Sequence, residues 1–230
     1  MNRRANNIIS YAAIGCYNAG LNNNRIRLCR IAHGIKSRTN MNSEKRAELL
    51  AMLARESYFE RQLTLASGRP SNYYVDCKRT LYLPRGAYLA GELVLELVKA
   101  AGVEQIGGMA VGALPVTDAV IAAAHAHRMD LRGFFVRKET KQHGLQQIVE
   151  GAFKPGLKTA VIDDTITTGG SSLQAVAAMR EAGGNVIAAI ALVERGEGAV
   201  DAFARAGLNY SWVFTAEEVR AERAAQNAEG

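Results

Sequence analysis

The chain has 230 residues, with 48% hydrophobic and 22% charged side chains, 22 Gly and only 4 Pro. That composition supports a real core and excludes a wholly disordered, collagen-like or low-complexity protein, and no apolar run approaches the ~18 residues of a membrane-spanning helix. The net charge of +6 misleads: residues 1–40 hold seven of the 28 basic residues and no Asp or Glu, leaving 21 basic against 22 acidic side chains in the remainder. A nucleic-acid partner argued from bulk charge therefore fails. Three cysteines (Cys16, Cys29, Cys77) lack metal-ligand spacing and are too few for a disulfide framework, which points to a reducing compartment.

In chain order, residues 1–40 are a basic leader with eight Asn and no sustained periodicity. A transit peptide or a nucleic-acid-binding arm has such a composition. The reading preferred here is a disordered tail or an upstream translation-start artefact, with the domain proper at 41–230. Ser43 is the expected N-cap of a first amphipathic helix over 44–55. Short strands follow over 58–65 and 73–76 around the turn Ser67-Gly68-Arg69-Pro70, making with the first helix a small N-terminal hood, mainly 41–84. The core, 85–215, starts with a helix over 85–100 closed by Gly102. An apolar run over 105–111, a helix over 115–127 and a strand over 131–136 come next. After a polar loop the pattern gives a strand 159–163, helix 171–182, strand 186–193, helix 199–206 and strand 210–214, with a last helix from about Ala216. Strands as apolar as Thr159-Ala160-Val161-Ile162 and Val186-Ile187-Ala188-Ala189-Ile190 are buried on both faces. Alternated with helices, they imply an α/β fold with a mostly parallel sheet between helical layers, and chemistry beyond the strands' carboxyl ends.

The most specific run is Val161-Ile162-Asp163-Asp164-Thr165-Ile166-Thr167-Thr168-Gly169-Gly170-Ser171-Ser172. An apolar strand meets two acids, and a small, hydroxylated, Gly-containing stretch then opens a helix. Free N–H groups and the positive dipole end at a helix start make an anion site, and two glycines let backbone wrap a phosphate. The Gly-Lys-Ser/Thr ending of the nucleotide P-loop is absent, and Gly107-Gly108-Met109-Ala110-Val111-Gly112 lacks dinucleotide-fingerprint spacing. Carboxylates beside a phosphate cradle would repel the phosphate, so they answer to sugar hydroxyls or a metal-bound sugar.

This run resembles the phosphoribosyl pyrophosphate signature of type I phosphoribosyltransferases. Three further segments narrow the resemblance to the orotate phosphoribosyltransferase family. Arg137-Lys138-Glu139-Thr140-Lys141-Gln142-His143-Gly144 resembles that family's mobile catalytic loop, putting Arg137, Lys138, Lys141 and His143 on pyrophosphate-contacting positions. Fixed cations there would stabilise the charge of the leaving group. Thr64-Leu65-Ala66-Ser67-Gly68-Arg69-Pro70-Ser71-Asn72-Tyr73-Tyr74-Val75-Asp76 is similar to the orotate-specific motif, with Tyr74 and Val75 on the orotate side. Arg195, in Leu192-Val193-Glu194-Arg195-Gly196, matches the arginine that pairs with the orotate carboxylate, and Thr167 matches a second orotate position.

Two departures stand out. Ala66 replaces a lysine that approaches substrate in many members, leaving Lys78 or Arg79 as substitutes, or a subgroup that works without it. Val111-Gly112 replaces a Tyr-Lys pair of some relatives, leaving backbone N–H groups to serve. His125 and His127, two apart on a helix, share no face for a metal.

The resemblance implies transfer of ribose 5-phosphate from phosphoribosyl pyrophosphate to orotate, giving orotidine 5′-phosphate and pyrophosphate in pyrimidine (UMP) biosynthesis. It implies cradle residues Thr165, Ile166, Thr167, Thr168, Gly169, Gly170 and Ser171 on the 5′-phosphate and Asp163 and Asp164 near the ribose hydroxyls. Catalytic roles fall on Lys138, Lys141, His143 and the two aspartates. Mg²⁺ is expected to bind mainly through the ligand, with no protein metal site. A cytoplasmic homodimer sharing its loop across the interface is expected, with no nucleic-acid or membrane partner. The alternatives are a purine-base phosphoribosyltransferase, or a regulator that senses phosphoribosyl pyrophosphate without catalysis.

Overall fold

The computed structural model describes residues 41–64, 70–138 and 148–229. Residues 41–230 form one compact unit. Helix α1 (Ser43–Met52) is capped by Asn42, whose side chain accepts the Lys45 N–H at 3.0 Å, so the cap lies one residue before the expected Ser43. A π-helical turn (Leu53–Ser57) leads into strand β1 (Tyr58–Thr64), which pairs antiparallel with β2 (Pro70–Val75). A one-turn helix, α2 (Lys78–Leu81), is too short to carry a periodic signal and escapes the sequence reading. Helix α3 (Pro84–Ala101) starts with proline and ends on left-handed Gly102, φ 63°, a conformation glycine adopts without a Cβ penalty.

Next come β3 (Gln105–Met109), α4 (Ala113–Ala126), β4 (Arg132–Val136) and β5 (Val149–Gly151). The three-residue β5 is also missing from the sequence reading, since three residues cannot show alternation. The chain continues through β6 (Lys158–Ile166), α5 (Gly170–Glu181), β7 (Asn185–Glu194), α6 (Ala199–Arg205), β8 (Asn209–Thr215) and α7 (Ala216–Glu229).

The second sheet has strand order β5-β4-β3-β6-β7-β8, with β5 antiparallel to β4 and every other pair parallel. From β3 the chain moves outward to β4, then returns to the other side of β3 as β6. Connections thus leave β3 and β6 in opposite directions, opening a crevice at their carboxyl ends. One face buries Leu89, Leu93 and Val120 of α3 and α4 against Ala160, Ile162 and Ile190. The same cluster takes in Leu49, Leu53, Tyr58 and Val75, so the N-terminal elements share the main core. The other face packs Ala175, Val176 and Met179 of α5 and Phe203 of α6 on Val161 and Ala189. Helix α7 closes back on α1: Arg46 binds Glu218 at 2.6 Å, and Gln226 donates to the Ala51 carbonyl at 3.1 Å.

Candidate active site

Strand β6 runs further than apolar content predicts. Its ladder with β7 continues through Asp163, opposite Ala191, to Ile166, opposite Glu194. Backbone pairing needs no apolar side chain, so both acids sit on the strand and not in the loop after it. The two side chains leave neighbouring strand positions, yet one oxygen of each converges on the loop after β3, and each acid also has partners of its own. Asp163 accepts the Ser172 hydroxyl of α5 at 3.1 Å and the Asp164 N–H at 3.1 Å. Asp164 accepts the Thr165 N–H at 2.7 Å and feels the charge of Lys78, at the start of α2.

Both acids are buried, with 8% and 7% of their surface exposed, which makes their charge costly. Burial first, then the Asp164 charge, pushes Asp163 up to about 8, against the opposing Ser172 hydrogen bond. Burial also raises Asp164, to about 6, with the Lys78 charge the largest opposing influence. The loop after β3 closes over them at Gly112. A Cβ there would stand 3.1 Å from Asp164 Oδ1 and 3.2 Å from Asp163 Oδ1, so glycine lets backbone approach the pair.

Beyond the acids, Thr167 and Thr168 lead into Gly169, left-handed at φ 82°, and then α5. The helix has no side-chain cap at its start. Its first backbone bond runs from the Leu173 N–H to the Gly169 carbonyl at 2.8 Å, so the amides of Gly170, Ser171 and Ser172 precede the ladder. The Phe203 ring, fully buried, lies beneath the turn, and a Cβ on Gly169 would meet it at 3.2 Å. The result is a run of small residues with amides at the positive end of a three-turn helix.

Arg195 follows β7, and its N–H binds the Ile166 carbonyl at 3.0 Å, which ties the turn after β7 to the start of the cradle. Its side chain is almost wholly buried. Nε donates to Glu197 at 2.9 Å, and the guanidinium lies 4.5 Å from the ring centroid of Tyr73. Tyr73 in turn stacks on Tyr58, centroids 5.7 Å apart. The aromatic that reaches Arg195 is thus Tyr73, which the sequence reading did not select over its neighbours. Tyr74 is exposed, whereas the Val75 side chain packs in the core.

The β2–α2 turn completes the site. Cys77, buried, meets the Thr165 hydroxyl at 3.3 Å and pins the turn to the end of β6. Burial pushes its thiol far up, and the Asp164 charge adds to this, so it is a neutral packing group. Lys78 pairs with Asp76 at 2.5 Å, whereas Arg79 lies over the Phe59 ring, 4.8 Å away. Of the two cations considered as replacements for a lysine at position 66, Lys78 is the one beside the acids.

Arg137, at the end of β4, reaches Glu150 at 3.3 Å, and its N–H binds the Ile148 carbonyl at 2.9 Å. Lys138 is exposed. Lys141, His143 and Ala66 lie outside the described residues. Among the described residues no group of three or more His, Cys, Asp or Glu side chains is arranged to hold a metal ion. Two carboxylates would leave most positions of a magnesium ion to water and ligand oxygens, which is how that ion is usually held. No helix among the described residues is long and apolar enough to cross a membrane.

Comparison with known proteins gives a consistent family. No family model matches the chain. Among curated proteins, the chain is 41% identical over 175 residues to an orotate phosphoribosyltransferase of Rhodopirellula baltica, spanning 74% of this chain and 91% of that protein. Among solved structures, it is similar to Mycobacterium tuberculosis orotate phosphoribosyltransferase in complex with 5-phospho-α-D-ribosyl 1-diphosphate. The TM-score there is 0.64 at 35% identity, over 76% of this chain and 98% of that one. A phosphoribosyltransferase from Corynebacterium diphtheriae superimposes with a TM-score of 0.68 at 35% identity, over 76% and 98% of the two chains. With its acid pair on the strand, its cradle at a helix start and relatives of this identity matched over nearly their whole length, the chain belongs to the orotate phosphoribosyltransferase family.

Proposed function

We propose that the chain transfers ribose 5-phosphate from phosphoribosyl pyrophosphate to N1 of orotate, producing orotidine 5′-phosphate and pyrophosphate for pyrimidine (UMP) synthesis. The observation that carries this reading is the junction of β6 and α5, where two buried carboxylates stand immediately before a cradle of helix-start amides. Of the expected cradle, the Thr165 N–H is held by Asp164, and the amides of Ile166, Thr167, Thr168, Gly169, Gly170 and Ser171 take the 5′-phosphate, whose charge suits the helix dipole. Asp163 and Asp164 face the ribose hydroxyls. The Ser172 hydroxyl holds Asp163 in place, and Gly112 admits the sugar close to both acids.

In the reaction the bond from ribose C1 to a pyrophosphate oxygen breaks, and its electron pair leaves with pyrophosphate. N1 of orotate bonds to C1, and the N1 proton is released. Bond breaking runs ahead, so a cationic sugar forms between the acids and the departing anion. Of the fixed acid pair, Asp164 ionises the more readily, and its charge stabilises that cation without reorganising. Arg137, Lys138, Lys141 and His143 meet the growing charge on pyrophosphate, with Lys141 and His143 acting across the interface of a homodimer. Arg195, steadied by Glu197 and Tyr73, takes the orotate carboxylate, and Thr167 and the Tyr74–Val75 backbone border the base. Mg²⁺, bound mainly through the donor, would supply charge neutralisation there. The enzyme works in the cytoplasm on this reading.

The test is direct. Purified chain mixed with orotate, phosphoribosyl pyrophosphate and Mg²⁺ should consume orotate absorbance and release one pyrophosphate per orotidine 5′-phosphate. Preference for adenine or hypoxanthine, or donor binding without pyrophosphate release, would refute the proposal.

A further inference from the structure

Lys78 stands on the hood side of the site, just beyond the segment 64–76. Lys78 opens α2, directly after the turn that Cys77 pins to Thr165. Its side chain is 36% exposed, and its ammonium is held by Asp76 at 2.5 Å. Burial alone would lower its pKa, but the bond to Asp76 and the charge of Asp164 outweigh burial and raise it, so Lys78 stays a cation. It pairs with Asp76, and Cys77 beside it meets Thr165, the neighbour of Asp164, so its charge acts on Asp164; Asp163 accepts the Ser172 hydroxyl of α5, and the backbone at Gly112 comes close to both acids.

The arrangement poses an electrostatic problem. Three carboxylates (Asp76, Asp163 and Asp164) lie around a place that must accept a polyanionic donor. The 5′-phosphate has its amides on the α5 side of the strand. The orotate carboxylate has Arg195 beyond β7. Orotate is thereby provided for on the hood side by Arg195, Tyr73 and the Tyr74–Val75 backbone, so the anion left for a further cation near Asp164 is the pyrophosphate, and a fixed charge there offsets the repulsion that Asp164 would exert on it. We infer that Lys78 is a donor-contacting catalytic residue whose ammonium, aimed by Asp76, binds an oxygen of the departing pyrophosphate. The inference rests on the function proposed above and adds a residue from the hood to a charge-stabilising set drawn otherwise from the loop after β4.

The test uses the full-length chain as wild type, Lys78→Met, Lys78→Arg and, as a surface control, Arg85→Ala, whose partner is Glu48. Kinetics are measured forward and, with orotidine 5′-phosphate and pyrophosphate, in reverse. Lys78→Met should lower forward kcat at least 30-fold and raise the KM for pyrophosphate at least tenfold, with the KM for orotate within threefold of wild type. Lys78→Arg should recover at least tenfold of the lost kcat, and Arg85→Ala should stay within twofold throughout. Unchanged kcat and pyrophosphate KM in Lys78→Met would overturn the inference. So would equal losses toward orotate and pyrophosphate with a lowered melting temperature, the mark of a structural role. If Lys78→Met does not fold, Lys78→Gln decides by the same readings: an unchanged kcat and pyrophosphate KM overturns the inference, and a pyrophosphate KM raised at least tenfold with the orotate KM held supports it. A wild-type chain that fails to convert orotate would instead sink the proposed function.

Discussion

The cradle and the hood side of the site are built in different ways. From Asp163 to Ser172 every part of the cradle is contiguous: strand end, acids, small turn residues and helix start follow one another, and their geometry is local. The hood side is assembled from three distant segments. Tyr73 on β2 meets Arg195 after β7, Cys77 meets Thr165, and Lys78 stands beside Asp164. A main-chain site tolerates side-chain change, because amides are common to all residues. A convergent site depends on each side chain separately. The two halves should therefore fail differently.

The sharpest contrast concerns the leaving group. Lys141→Ala should lower kcat by about 10²- to 10³-fold, the usual cost of losing a donor to developing charge, with donor affinity changed far less. Steady-state and donor-binding measurements check this, and equal losses in both would remove Lys141 from the transition state. Next is the acid pair. Because the folded pKa of Asp163 is raised, the unfolded chain ionises first, near 3.8, while the folded group holds its proton to about 8. Stability from this group is thus full below pH ~3.8 and is lost as pH rises towards 8, by a few kcal/mol in order of magnitude. Asp163→Asn should flatten that decline, read as denaturation midpoint against pH; an unchanged slope would contradict it.

Arg195→Lys keeps the charge but loses the planar fork, and should raise the orotate KM by about 10- to 100-fold, in line with ~1.5–3 kcal/mol for a charged hydrogen bond. The donor KM should hold. A donor KM that rose in parallel would merge the two halves of the site. Gly169→Ala should cost about 1–2 kcal/mol of stability, from a positive φ and contact with Phe203. Its measure is the urea midpoint, and a neutral result would mean that the ring gives way. Smallest is Asn42→Ala, about 1 kcal/mol from a lost helix cap and no change in kcat, which bounds effects unrelated to the site.

How legible the protein is follows the same division. Period-2 and period-3.6 patterns placed the main helices and strands to within a few residues, because burial on one or two faces imposes them. The errors fall where local pattern has no say: the one-turn α2, the three-residue β5, and the continuation of β6 through Asp163, Asp164, Thr165 and Ile166. Strand pairing extended β6 against apolar content. The acids and the glycine turn after them were legible because strand end, Gly169 and helix start follow one another directly in the chain.

The chain alone thus determined a parallel α/β architecture, the acid pair and the small-residue turn that opens α5, each written in patterns of residues near in sequence. Only the folded arrangement decided that Asp163 belongs to α5 and Asp164 to the hood, that Tyr73 is the ring under Arg195, and that Lys78 and not Arg79 faces the acids. Those choices depend on which segments the sheet order brings side by side. Contacts between residues tens of positions apart leave no periodic trace in the sequence that makes them.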